Sequence, residues 1–191
     1  LGTGRGIVTS AAPKHFPSLY VMLRKLRATG CKLPVEVWHF GDAEFDPAMK
    51  RIVRSLGAET VDASAMRKCI PSRIMRGWEL KPYAIMWSKF QECLWLDADS
   101  IPAADPEYLF DTPQYRECGC IAFPDFPTWS SRMSWPRFGL ETPENMVYAT
   151  AKTVDGYFNQ PIPHGIVAPH ETGQFGIDKR RRFAELDTML F

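Results

Sequence analysis

Apolar and polar positions switch between two periods over the first hundred residues. GIVTSA (6–11) is a short β-rich run closed by an AAPK turn. PSLYVMLRKLRATG (17–30) then puts Leu19, Met22, Leu23 and Leu26 at helical spacing, with Pro17 near its start and Gly30 at its end. PVEVWHFGD (34–42) alternates as a strand does. DPAMKRIVRSLG (46–57) returns to the helical period with a glycine stop, and AETVDAS (58–64) reads as a third strand. Strand, helix, strand, helix, strand at this spacing predicts parallel pairing with helices packed on the sheet. A proline-marked helix, KPYAIMWSKFQE (81–92), leads into CLWLDADS (93–100), whose unbroken apolar run fits a central strand covered on both faces. Beyond residue 100 come many prolines, aromatic residues and short extended runs such as CIAFPDF (120–126). That half is expected to be loop-rich and built onto one end of the sheet.

Composition narrows this picture. The chain has 191 residues, 45% of them hydrophobic, enough for one domain with a real core and too few for two comfortable ones. A formal charge of +1 gives no whole-surface affinity for nucleic acid or acidic membranes. The one basic cluster, Lys179 to Arg182, is short, is followed by Glu185 and Asp187, and reads as a solvated helix face. No apolar stretch reaches 18 residues and no signal peptide is visible, so any membrane anchor would lie outside this sequence. The glycine-rich lead from Leu1 suggests a piece of something longer. The five cysteines include no C-x-x-C pair, which argues against zinc and leaves the redox compartment open.

The candidate chemistry sits where the apolar run of residues 93–96 stops in Asp97 and Asp99. In open α/β sheets, ligands bind outside the carboxyl ends of the strands. On an extended chain positions i and i+2 share a side, so both carboxylates can face one site. Two unpaired anions there would repel, and a divalent cation with oxygen ligands, Mg²⁺ or Mn²⁺, removes the conflict. The other reading is a strand-ending turn in which the aspartates cap backbone groups. D-x-D is a short pattern, and its place at the end of a buried strand is what gives it weight. Gly2, Gly4 and Gly6 precede the first strand, whereas a dinucleotide fingerprint follows one, so no Rossmann phosphate loop is expected.

Four segments taken together carry a resemblance: GRGIVTSAAPKHFPSLYVMLRKLRATGCKLPVEVWHFGDAE, WELKPYAIMWSKFQECLWLDADSIPAADPEYLFD, CIAFPDF and ETGQFGIDK. Over most of residues 5–182 the chain resembles the fungal-type Golgi α-mannosyltransferases, the family that contains α-1,3-mannosyltransferases. LPVEVWHFGD, LDADS and E-T-G-Q in that order form a far more specific combination than any one of them. The resemblance implies a GT-A fold, a mixed and mostly parallel sheet with helices on both faces, in a single catalytic domain over residues 1–191 that is truncated at its C-terminus. Residues 1–100 would be the nucleotide-binding half and 101–191 the acceptor-side half. It implies Mn²⁺ (or Mg²⁺) on Asp97 and Asp99, with GDP-mannose as donor and a glycan as acceptor. It also implies a Golgi-lumen location behind an anchor not present here.

Carried over by motif, the donor would be held by Thr9, Ser10, Ala11, Lys81, Asp97, Ala98 and Asp99. Lys81 would meet a phosphate near a helix start, or else stand as an exposed lysine. Asp125, Glu171, Gln174 and Asp178 would line the sugar side, though Glu171 or Asp178 could instead start a helix or form a salt bridge. Trp129 and Trp135 would offer flat faces to an acceptor sugar, or else sit in the core. His164 and His170 are candidates for a third metal ligand. The implied reaction is transfer of mannose with retention, through an oxocarbenium-like transition state. The alternatives are a related transferase using a UDP-hexose and a non-catalytic carbohydrate- or nucleotide-binding relative. A divalent phosphohydrolase would need more ligands clustered near Asp97.

Overall fold

The computed structural model describes residues 2–72, 75, 77–124 and 170–190. Strand β1 (Arg5–Ser10) is followed by helix α1 (Phe16–Ala28), β2 (Val35–His39), α2 (Pro47–Ser55) and β3 (Ala58–Asp62). These are the five elements that the periodicity predicts, in the same order. Their ends follow from local chemistry. Asp46 caps α2 by accepting from the Met49 amide at 2.8 Å, and Pro47 opens the helix. Gly30 and Gly57 close α1 and α2 at φ 89° and 70°, a conformation that favours glycine.

The next elements depart from the sequence reading. Helix α3 (Ala63–Cys69) follows β3 without a break, started by Asp62, which accepts from the Ser64 and Ala65 amides at 2.8 and 3.1 Å. The run AETVDAS therefore divides at its aspartate into a strand and a helix cap. Helix α4 (Leu80–Trp87) stops five residues short of the expected end, and β4 (Glu92–Leu96) begins there. A 3₁₀ turn (Pro106–Asp111), α5 (Pro113–Cys118), β5 (Cys120–Pro124), β6 (His170–Asp178) and α6 (Phe183–Leu190) complete the described elements.

The sheet order is β3-β2-β1-β4-β6-β5. β1 pairs in parallel with both β2 and β4, β2 pairs in parallel with β3, and β6 lies antiparallel to β4, with Gln174 opposite Leu96 and Asp178 opposite Glu92. The chain thus winds outward from β1 in one direction through β2 and β3, then returns to place β4 on the other side. That reversal leaves a crevice at the carboxyl ends of β1 and β4. On one face, Val8, Trp38, Cys93 and Trp95 pack with Ala63 of α3, Tyr83, Ala84 and Ile85 of α4, and Leu186 of α6. Residues of the other parity, such as Ile7, Val37 and Leu94, are equally buried. On that face His39 stacks on Phe45, which meets Phe16 of α1 edge-on. Helices therefore cover both faces, as a GT-A fold requires.

Contacts divide the chain into two compact units, residues 1–121 with 173–191, and residues 122–172. The halves expected from sequence met at residue 100. All five cysteines are unpaired. Among the described residues no helix is long and apolar enough to cross a membrane.

Candidate functional site

The crevice holds the D-x-D motif, at a strand-ending turn such as the second sequence reading described. β4 ends at Leu96 and the chain turns at once, the Ser100 amide donating to the Asp97 carbonyl at 2.9 Å. The Asp97 amide donates to the carbonyl of Gly173 in β6 at 2.7 Å, and the Ser100 hydroxyl donates to the same oxygen at 3.1 Å. The expected turn is real, and it does not use up the carboxylates. Asp97 and Asp99 both line one cavity of about 540 Å³.

The two aspartates have different surroundings. The Asp97 carboxylate accepts from Trp95 Nε1 at 2.6 Å and from Lys81 Nζ, which lies 3.0 Å from Oδ1 and 3.3 Å from Oδ2. Trp95 can do this because residues i and i+2 at a strand end face the same side. The Lys81 ammonium also lies over the rings of Trp95 and Trp78, 5.2 and 5.7 Å from their centroids. Asp97 is therefore fixed in place by two donors, while Asp99 is exposed and takes no part in this network. Lys81 occupies the first turn of α4 and lines the cavity with its side chain 11% exposed, so it is not the exposed lysine of the second reading.

Of the other expected donor residues, Ser10, Ala11 and Ala98 line the same cavity. Thr9 does not: its side chain is wholly buried, with a hydroxyl that has no hydrogen-bond partner. Asp178 lies at the far end of β6, opposite Glu92, four strand residues or roughly 13 Å from the crevice end. There it accepts from the Arg180 amide at 3.0 Å and from Gln91 Nε2 at 3.4 Å, and its carbonyl accepts from the Arg182 amide at 3.0 Å. These bonds close the turn that follows β6, at the end of the strand away from the crevice. Gln174 is half-buried in β6 beside Leu96 and is not in the cavity wall. Asp125, Trp129, Trp135 and His164 lie outside the described residues, and so do the side chains of Glu171 and His170.

Among the wall residues that the sequence reading missed are Lys14, His15, His39, Trp78 and Trp95. His39 could have been found by applying to β2 the strand-end rule that located Asp97. Trp95 could have been found from its i−2 position. Trp78, 80% exposed ahead of α4, gave no periodic signal. A second cavity of about 580 Å³, lined by Arg67, Lys68 and Met75, shares Phe40 and Glu44 with the first.

Comparison with known proteins gives this geometry a context. Residues 4–191 match the family described as "Mannosyltransferase putative". Among curated proteins, the chain is 30% identical over 131 residues to an α-1,2-mannosyltransferase, MNN21, of Candida albicans, covering 63% of this chain and 20% of that protein. It is 29% identical over 129 residues to the α-1,2-mannosyltransferase MNN2 of Saccharomyces cerevisiae, covering 64% and 21%. These relatives carry the α-1,2 name where the sequence resemblance suggested α-1,3, and the chain spans about a fifth of their length. Among solved structures, the galactosyltransferase LgtC superposes with a TM-score of 0.57 at 15% identity, over 97% of this chain and 64% of that one. Core-mannan synthase A of Aspergillus fumigatus, solved in an Mn/GDP form, gives 0.50 at 10%, over 97% and 63%. A 4-diphosphocytidyl-2C-methyl-D-erythritol synthase gives 0.55 at 12%, so these likenesses show a shared fold and not a shared reaction.

Proposed function

The chain belongs to this mannosyltransferase family, and from that premise we propose that it is a divalent-metal-dependent, retaining transferase moving mannose from GDP-mannose to a glycan hydroxyl. One observation carries the reading: an exposed carboxylate, Asp99, and a fixed one, Asp97, share a cavity at the topological switch point with a partly buried lysine.

The residues present suit a hard cation. Mg²⁺ and Mn²⁺ sites of this kind use one or two carboxylates and complete the shell with phosphate oxygens and water. Among the described residues no cluster of three His, Cys, Asp or Glu side chains could hold a metal, so Asp97 and Asp99 would hold it together with the donor's diphosphate. Bound there, the cation would supply Lewis-acid stabilisation of the departing diphosphate.

The chain's own side chains supply the rest. Trp95 and Lys81 fix the Asp97 carboxylate before the donor arrives, so little reorganisation remains to be done in the transition state. Lys81 also adds a positive charge beside the position of the leaving group. As the bond from the anomeric carbon to diphosphate breaks, the acceptor oxygen bonds to that carbon and its proton leaves for a base or a diphosphate oxygen. Asp125 and Glu171 are the carboxylates assigned to the sugar side, and Asp178 is left as a structural residue. Residues 1–100 would carry the donor and later residues the acceptor, in a Golgi-lumen enzyme anchored from outside this sequence. The Mn/GDP form of core-mannan synthase A supports both the metal and the base.

The test is titration with GDP-mannose and UDP-glucose, with and without Mn²⁺, alongside Asp99→Ala. Wild type should bind GDP-mannose only with the metal, and the variant should lose transfer by about a hundredfold or more. Preference for UDP-glucose would move the donor, and metal-independent binding would end the reading.

A further inference from the structure

His39 ends β2, two strands from Asp97 across β1. It is 1% exposed and its ring lies flat against Phe45, centroids 5.0 Å apart and planes 12° apart. The Gly41 amide donates to its Nδ1 at 3.1 Å. An acceptor Nδ1 fixes the tautomer, so the ring proton sits on Nε2. Burial lowers the pKa of this imidazole, which keeps it in that neutral form. A core histidine would have both nitrogens satisfied. Here Nδ1 alone has a partner, and Nε2 is not among the buried partnerless side-chain atoms, which among the described residues are Thr9 Oγ1 and Tyr115 Oη. His39 also helps to line the cavity that holds Asp97 and Asp99.

The geometry points to His39 as a donor-recognition residue: its Nε2–H is held ready for a hydrogen-bond acceptor on the nucleoside of the sugar nucleotide. This deepens the reading above and rests on it. The position selects the nucleoside over the diphosphate. Adjacent strands lie about 4.8 Å apart, so the ends of β2 and β4 are separated by roughly 10 Å across the end of β1. A diphosphate held at Asp97 and Asp99 would send its nucleoside that distance along the strand ends, over Ser10 and Ala11, toward His39. A neutral N–H donor suits a base carbonyl, a ring nitrogen or a ribose hydroxyl, and it adds no charge for a phosphate.

The test compares wild type, His39→Phe and His39→Gln by calorimetry, with GDP, UDP and inorganic pyrophosphate as probes in the presence of Mn²⁺. Phenylalanine keeps the ring stacked on Phe45 and removes the donor, whereas glutamine restores an N–H. We expect His39→Phe to bind the preferred nucleoside diphosphate about tenfold more weakly, with pyrophosphate unchanged and partial recovery in His39→Gln. With 2′,3′-dideoxy-GDP, a penalty that persists puts the acceptor on the base, and one that vanishes puts it on the ribose. Equal binding by wild type and His39→Phe overturns the inference. So does a parallel loss of pyrophosphate, which would mean a general disturbance of the site. If wild type binds neither nucleotide, the donor reading itself has failed and takes the inference with it.

Discussion

β4 has two different neighbours. On one side it runs parallel to β1, in a region where β2 and β3 each follow the preceding strand through one helix and β4 follows β3 through two. On the other it meets β6 antiparallel, a strand that arrives from far along the chain. The parallel side is built from local instructions such as caps, glycine stops and alternating runs. The β6 side is held by specific long-range bonds. The Asp97 amide reaches Gly173 at one end of β4. At the other, the wholly buried ammonium of Lys179 donates to the Met86 and Ser88 carbonyls at 3.2 and 2.7 Å, and to the Ser88 hydroxyl at 3.2 Å. Local signals therefore build the platform, and a distant strand locks the site's loop onto it.

The largest effect should come from breaking that lock. Lys179→Ala leaves two carbonyls at the end of α4 without donors and opens a cavity, at a cost of about 3–5 kcal/mol. Urea unfolding measures the loss, and hydrogen exchange should show β6 amides opening before those of β1 and β2. A loss below ~1 kcal/mol would mean that Lys179 is only a bystander. A smaller effect tests the parallel side. A Cβ on Gly6 would lie 2.4 Å from the ring of buried Phe90, so Gly6→Ala should cost about 1–3 kcal/mol and lower protection throughout the sheet. If β6 alone loses protection, the two sides are not separable in this way.

The smallest effect is a pH dependence in β2. Glu36 accepts from Trp38 Nε1 at 3.1 Å and from the Lys89 amide at 3.3 Å, and burial raises its pKa. A raised native value means that the folded state holds this proton more tightly than the unfolded chain does. Its contribution is then present in acid and is lost as pH climbs from the ordinary glutamate range through the raised value. Glu36→Gln cannot titrate, so wild type should lose stability relative to it over that window in parallel thermal melts. A constant difference would remove Glu36 as the cause.

The same contrast sets what could be read from sequence. β1 through β3, α1 and α2 were readable because 2-residue and 3.6-residue periods, with Asp46, Gly30 and Gly57 at the ends, are local signals. Asp97 and Asp99 were readable as a strand terminus. The pairing of β6 with β4 was not, since nothing in HETGQFGID specifies a partner so far upstream. The division of AETVDAS was hidden because Asp62 fits a strand end and a helix cap equally well. Asp178 looked like a site residue by motif, and only the register opposite Glu92 puts it at the wrong end of the sheet. The link from Trp95 to Asp97 follows from the same i, i+2 spacing at the end of β4 and was open to the same strand-end rule.

The place of β6 also bears on how the protein is made. β4 ends at Leu96 and β6 begins at His170, so a nascent chain emerges with the apolar β4 strand unpaired on one edge. At ~5–20 residues per second that edge waits roughly 4–15 s for its partner. An open edge of this kind is a template for pairing with other chains. A fragment ending at residue 124 should therefore scatter light as it aggregates, and a peptide of residues 170–190 added in trans should suppress the scattering. A clear solution of the fragment alone would show that the edge is protected in some other way.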